Sequence, residues 1–276
     1  MRRKRRAPGK GAREMKEGEQ GVVLRVRPYG ERDLLVVLFG KTQGRLPLIA
    51  RGGRKLGSRV HAVLQPFRVV EVRYRKTREV GTVTQAELLE RFPPLEEDPV
   101  RFAWAAYGAE LLEHVGEDRD ARPLYDVYLW YLRRLAGNDP PELVAAYLEL
   151  ATLRAQGLAP ELHRCARCGR EDVPLVAFSS EAGGAVCADC TPLLSDAYPL
   201  SSAALYFLRA FAQLPPGRIG RLTAKPDTID EVARHMDVFL AHHWPAPLHA
   251  KRVAREISRP LLVAGEEPES ETAKET

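Results

Sequence analysis

Four cysteines set the tightest constraint on this chain. Cys165-Ala-Arg-Cys168 and Cys187-Ala-Asp-Cys190 are two C-x-x-C knuckles with 18 residues between them, and they hold every cysteine of the sequence. Each knuckle turns the backbone so that two sulfurs face one point, and the gap falls in the range of four-cysteine zinc sites. Four soft thiolates in a tetrahedron suit zinc. A redox dithiol would use one knuckle and leave the other idle. Protein sulfurs fill all four positions, so the expected ion is one structural zinc per chain with no open position for a substrate. Gly169 and the pair Gly183-Gly184 suit the turns of a ribbon, so residues 161–196 are expected to form a zinc-ribbon-like module.

The charge is sorted along the chain. Residues 1–80 carry 22 Lys+Arg against 7 Asp+Glu, while the remainder is net −10, which leaves the chain at +5. A surface that merely solubilises mixes both signs; a basic first third points to a polyanion, and an acidic remainder to a body that does not touch it. Part of the excess lies in an arm, residues 1–18, expected to be disordered, yet residues 19–80 alone hold 14 basic and 5 acidic residues. The cysteine module is a poor candidate reader: Arg164, Arg167 and Arg170 face six carboxylates between Glu161 and Asp196, and zinc on four thiolates adds further negative charge.

The longest apolar run, Leu34 to Phe39, is far too short for a membrane span, and no apolar segment follows the basic residues at the start. The expectation is a cytoplasmic protein in a reducing compartment, without membrane partners.

From Gln20 to Leu89 the pattern is short β-type runs between turns. Val22, Leu24 and Val26 alternate with Val23, Arg25 and Arg27; Leu34–Phe39 is solidly apolar and ends at Gly40-Lys-Thr-Gln-Gly44; Arg45–Ile49, Phe67–Tyr74 and Gly81–Leu88 complete five strands. Five strands in about seventy residues is the size of an OB-type barrel, a fold that commonly holds single strands in a groove. After Pro93-Pro94 the period becomes helical, with helices expected around Phe102–Leu112, Leu124–Leu135, Pro141–Gln156, Ser201–Leu214, Asp227–His243 and Pro247–Ser258. The fold expected is therefore multidomain α+β: a five-stranded OB-type β-barrel over 19–90, an α-helical body over 95–160 and 197–262, the inserted four-cysteine zinc module, and a disordered acidic tail over 265–276.

No motif of an enzyme is present. There is no P-loop, no Gly-x-Ser-x-Gly elbow and no His-Glu-x-x-His. His242 and His243 are adjacent and so face different sides of a helix, with Asp237 expected as a surface partner, and Glu96-Glu97-Asp98 sits where carboxylates complement a helix dipole. No catalytic residue and no small-molecule substrate are expected.

Single-strand binding needs cations along a groove and flat side chains for stacking. Strand residues Arg25, Arg27, Arg45, Arg68, Arg73 and Arg75 supply charge, and the glycine-bearing loop with Arg51, Arg54, Lys55 and Arg59 lets backbone N–H groups approach phosphate. Arginine outnumbers lysine here, which favours planar phosphate and base contacts. Tyr29, Phe67 and Tyr74 are the available aromatic rings, the last two also suiting a core.

The order of features resembles the bacterial recombination mediator RecO family. The residues that carry the resemblance are Val22-Val-Leu-Arg-Val-Arg-Pro-Tyr-Gly-Glu-Arg-Asp33, Thr42-Gln-Gly-Arg-Leu46, Ala50-Arg-Gly-Gly-Arg-Lys55, Leu64-Gln-Pro-Phe67 and the two knuckles inside a helical C-terminal half. The resemblance spans about residues 20–260, and the arm before Glu19 is not part of it. It implies an OB fold, a helical domain and a zinc module; binding of single- and double-stranded DNA and annealing of complementary strands; and work with RecR (and RecF) in loading RecA onto strands coated by single-strand-binding protein. It further implies that the helical body binds the acidic-apolar end of single-strand-binding protein. Leu248, Lys251, Arg252 and Arg255, with Val253 and Ile257, combine apolar anchors with basic residues as such a peptide requires. Two other classes fit the composition: an RNA-binding or transcription-associated zinc-ribbon protein, and a scaffold with a basic patch.

Overall fold

The first strand begins earlier than the composition suggests. In the computed structural model, which describes residues 16–55, 57–76, 80–115, 121–244 and 246–258, β1 (Lys16–Tyr29) already includes residues 16–18 of the expected arm. Residues 1–15 of that arm, and the expected tail 265–276, lie outside the described residues.

With β2 (Asp33–Gly40), β3 (Gly44–Ala50), β4 (Val69–Lys76) and β5 (Gly81–Glu90), this strand makes a closed barrel in the order β1-β2-β3-β5-β4. Neighbours are antiparallel except β3 and β5, which close the barrel through the short parallel pairing Leu48↔Gly81 and Ile49↔Thr82. The long β1 serves both sides: residues 16–22 pair with β4 and residues 21–29 with β2. At Gly21 an added Cβ would collide with Leu38 and the Phe39 carbonyl, so this crossing requires glycine.

Strict alternation in β1 fails at one point. The register with β2 shifts between Val23 and Arg25, leaving Leu24 as a bulge. Val23 enters the barrel core with Val36, Leu38, Leu48, Val70, Val72 and Tyr74. Val22 and Leu24 instead join Phe39, Phe67 and Val69 against the helices. The bulge returns Val26 to the barrel side, so it does not share a face with Val22 and Leu24. A short helix that periodicity did not reveal, α1 (Arg59–Val63), packs Val60 and Val63 against the barrel core, its first turn capped by the Ser58 hydroxyl, which accepts from His61 N–H.

The body contains α2 (Pro93–Glu97), α3 (Pro99–Glu113), α4 (Arg122–Leu135) and α5 (Pro141–Ala155), then α6 (Ser202–Gln213), α7 (Pro226–His243) and α8 (His249–Ser258). Asp98 caps α3 by accepting from Val100 N–H at 2.8 Å and Arg101 N–H at 3.3 Å, which accounts for one member of the acidic cluster. α5 is apolar all round and lies at the centre, with Leu143, Val144, Tyr147, Leu148, Leu150 and Leu153 buried. Barrel and body share one continuous core through Phe39, whose ring meets Tyr128 edge-on, and Phe67, whose ring meets Phe102 likewise. Phe67 holds φ +66, an uncommon conformation for a bulky residue, and its buried ring is thereby inserted between the two parts. Phe67 and Tyr74 are core residues, whereas Tyr29 is 51% exposed.

Between α5 and α6 a small sheet, β7-β6-β8, is formed by β6 (Leu175–Ser179), β7 (Gly184–Cys187) and β8 (Tyr198–Pro199), so the ribbon extends past residue 196.

Candidate nucleic-acid surface and cysteine cluster

The outer face of β1-β2-β3 follows from register. Arg27, Leu35 and Ile49 stand abreast, as do Arg25, Val37 and Pro47. Half-buried apolar side chains are thus rimmed by arginines, but the two ends of the face differ. At the lower end, Arg25 Nε lies 2.7 Å from Glu113 Oε1 and Arg45 donates to the Glu113 carbonyl at 3.3 Å. These two arginines join the barrel to the end of α3. Burial raises the Glu113 carboxyl above its usual range, against the opposing pull of Arg25 and Arg45.

The upper end is a platform. The turn after β1 and the loop after β3 are tied together: Gly52 N–H donates to Asp33 Oδ1 at 2.8 Å, Arg54 N–H to the Arg32 carbonyl at 3.0 Å, and Arg54 Nη1 to the Gly30 carbonyl at 2.7 Å. Gly30 and Gly52 both hold positive φ, which lets the two turns approach without a Cβ penalty. Arg54 is therefore committed, through its guanidinium, to holding the loop. Arg27, Arg32, Arg51, Lys55 and Arg59 are exposed around it with no side-chain partner among the described residues, and Tyr29 lies beside them. Sequence reasoning missed Arg32 because nothing in its local pattern ties the first turn to the later loop.

Arg73 and Arg75 do not belong to this face. They point outward from β4, beside Gly18 and Lys16 of β1, on the other side of the barrel order. Arg68 is engaged with Glu96, which also receives Arg91 at 2.6 Å. These guanidiniums, Arg91 foremost, hold the Glu96 carboxyl down at about 2.

The cysteine cluster forms as the spacing requires. The sulfurs of Cys165, Cys168, Cys187 and Cys190 all lie within 4.8 Å of one another, with Cys168 and Cys187 at 3.9 Å. Tetrahedral ligation at about 2.3 Å per bond sets sulfurs roughly 3.8 Å apart, so the donor set fits a zinc-sized ion. Cys187 N–H donates to Cys165 Sγ at 3.4 Å, and Arg170 donates to Cys168 Sγ and Cys187 Sγ, both at 3.4 Å, while pairing with Asp189 at 2.5 Å. Arg170 brings the exposed Cys168 thiol down to about 6, and burial lifts Cys190 to about 12. The ribbon closes on Glu161, whose N–H and carbonyl bond to Gly183 and Ala185; a Cβ at Gly184 would collide with that backbone.

The C-terminal helix differs most from its sequence reading. Lys251 is buried, not solvated: Nζ lies 2.6 Å from both Glu149 Oε1 and Asp237 Oδ1. Glu149 is fully buried in α5 and also accepts from Tyr107 Oη at 2.6 Å. Arg255 pairs with Asp237, so Asp237 serves α8 and not the histidines; His243 Nε2 instead lies 2.9 Å from the Ser180 carbonyl. Of the candidate partner residues, Arg252 is exposed, and Leu248 lines a cavity of about 420 Å³ with Leu240, Trp244, Pro247 and Lys251. Trp244 Nε1 is buried there without an acceptor.

An OB-type barrel packed on a helical body that carries a four-cysteine, metal-competent ribbon defines the structural class. Two family models divide the chain at the junction of barrel and body: the one described as Recombination protein O N terminal matches residues 15–92, and the one described as Recombination protein O C terminal matches residues 96–252. The chain is 30% identical over 249 residues to the DNA repair protein RecO of Bacillus pumilus, covering 90% of this chain and 97% of that protein. It is 29% identical to the Bacillus subtilis DNA repair protein RecO with the same coverages, and 34% identical to that of Anaeromyxobacter sp., covering 88% and 97%. This chain belongs to the RecO family, and membership carries a role in DNA repair. No described helix is long and apolar enough to cross a membrane.

Proposed function

We propose that this protein is a non-enzymatic mediator of homologous recombination in the bacterial cytoplasm, acting at nucleoid DNA. In this reading the barrel binds single- and double-stranded DNA and anneals complementary strands. With RecR (and RecF), the protein helps load RecA onto strands coated by single-strand-binding protein. The observation that supports it most is the platform of Arg27, Arg32, Arg51, Lys55 and Arg59: five exposed cations without a side-chain partner among the described residues, on a barrel where Arg25, Arg45, Arg54 and Arg68 are instead engaged by Glu113, Gly30 and Glu96. Unneutralised guanidiniums beside half-buried Leu35 and Ile49 suit phosphate contact with bases laid on an apolar surface.

One zinc per chain, held by the four cysteines, staples the ribbon to the body, and its chemistry is structural. The end of single-strand-binding protein docks at the cavity beside Leu248, where Arg252 faces its acidic residues and Trp244 Nε1 supplies a donor.

The test is an annealing assay on complementary strands, with and without saturating single-strand-binding protein. Annealing that persists on coated strands supports the mediator role, whereas annealing confined to naked strands counts against it. Arg252→Glu is expected to weaken annealing on coated strands while sparing naked ones.

A further inference from the structure

The outer face of β1-β2-β3 does not stop at the platform. Its rows follow one another two residues apart along β2: Arg27, Leu35 and Ile49; then Arg25, Val37 and Pro47; then Phe39 with Arg45 as its Cα partner. Each step is about 7 Å at roughly 3.4 Å per residue, so one track leads from the platform to the place where the barrel meets the end of α3. Arg25 and Arg45 stand at that end of the track, and both are exposed.

The carboxylate that meets them is poorly provided for. Glu113 Oε1 is buried and accepts no well-aligned hydrogen bond, although Arg25 Nε lies 2.7 Å away. The nearby Tyr128 hydroxyl, whose deprotonation is opposed by burial and then by the Glu113 charge, is also buried without a partner. Burial lifts the Glu113 carboxyl above its usual range, and Arg25, Arg45 and His114 oppose that rise without cancelling it. A buried carboxylate left in this state weakens the fold, so joining barrel to body does not by itself account for it. The pair is also uneven. The Arg25 side chain is 48% exposed against 18% for Glu113, so solvent reaches the guanidinium more readily than the carboxylate. Arg45 donates only to the Glu113 carbonyl, at 3.3 Å. Guanidiniums held this way can exchange one anion for another, because their donor fork suits carboxylate and phosphate alike.

We propose that Glu113 is a resident competitor for phosphate on this face: a single strand running from the platform along β1-β2-β3 takes Arg25 and Arg45 from Glu113, and binds less tightly than it would if the carboxylate were absent. The proposal rests on the reading of the barrel as a nucleic-acid-binding module and adds the residue that sets its affinity. By linkage the effect is reciprocal, so a bound strand weakens the Arg25–Glu113 contact between barrel and body.

The test is the affinity and salt slope of a fluorescein-labelled oligothymidine of about 20 nucleotides, longer than one OB-type site, on the full chain. Wild type is compared with Glu113→Gln, with Arg25→Gln/Arg45→Gln, with the combination of all three changes, and with Arg27→Glu/Arg51→Glu/Lys55→Glu, circular dichroism confirming the fold of each. Glu113→Gln should bind about fivefold more tightly than wild type at an unchanged slope, the scale of one partly exposed ion pair. Arg25→Gln/Arg45→Gln should lower the slope by about 1.4 units, at roughly 0.7 per phosphate contact. Adding Glu113→Gln to that pair should then change affinity by less than about twofold, since sites that act through one contact are not additive. An affinity unchanged in Glu113→Gln, a rise of equal size with and without the two arginines, or a slope unchanged in the arginine pair overturns the competition while leaving the platform intact. No binding by wild type, or binding indifferent to the platform variant, overturns the nucleic-acid reading and the proposal with it.

Discussion

Lys251→Met is expected to be among the most damaging single substitutions in the helical body. Its ammonium lies 2.6 Å from Glu149, a fully buried carboxylate in the central helix, and the Glu149 Oε2 atom is already buried without a hydrogen-bond partner. Removing the cation leaves Glu149 with the Tyr107 hydroxyl alone. Breaking a buried pair from one side costs about 3–5 kcal/mol, because a charge stays in a low-dielectric setting without its counterion. For a chain of this size about 1 kcal/mol moves Tm by roughly 2–4 °C, so a drop of about 6–20 °C is expected. Replacing both members, Lys251→Met with Glu149→Met, removes the uncompensated charge and should recover most of the loss; the double-mutant cycle then gives a coupling energy well above about 1 kcal/mol. Urea unfolding followed by circular dichroism measures all four proteins. A single substitution costing less than about 1 kcal/mol, or a double no more stable than Lys251→Met alone, refutes the assignment of Lys251 to the interior.

Further outcomes follow from the ribbon and from the joint between barrel and body. Zinc should be present at one ion per chain by elemental analysis, and Cys165→Ser or Cys187→Ser should release it and destabilise the body by several kcal/mol, because metal binding is coupled to folding; a metal-free and fully stable variant contradicts this. Gly184→Ala should lower Tm measurably by forcing the ribbon away from the Glu161 backbone; an unchanged Tm rejects that close approach. Glu96→Gln should cost about 1 kcal/mol at pH 7, the scale of a partly exposed ion-pair network. Its carboxyl is held at about 2 in the folded chain against an ordinary 4.5, so this contribution is full above about 4.5 and disappears as the pH falls toward 2. Parallel stability curves for wild type and variant across that window would exclude it.

How legible these features were depended on whether the signal was local. The two knuckles placed four sulfurs correctly because ligand spacing is a short-range property, and the change of hydrophobic period at Pro93-Pro94 marked the start of the helices. The barrel strands were legible for the same reason. The bulge at Leu24 was not: three successive buried residues serve two different cores, and alternation alone cannot see the second core. α1 is too short for periodicity to reveal, and its apolar residues, Val60 and Val63, matter because they pack against the barrel core. The basic residues were the hardest to sort. Arg25, Arg45, Arg54 and Lys251 look alike in sequence to Arg27, Arg51 and Lys55. What separates them is a partner brought in from far along the chain: Glu113 for Arg25 and Arg45, Gly30 for Arg54, and Glu149 for Lys251.

The salt dependence of single-strand binding tests the central claim most directly. With Arg27, Arg32, Arg51 and Lys55 all changed to alanine, the slope of log affinity against log salt concentration should fall by about 3 units, at roughly 0.7 per phosphate contact on a single strand, with a loss nearly independent of base sequence. A slope and affinity unchanged from wild type, measured on a variant with native circular dichroism, would mean that the platform does not contact the phosphate backbone.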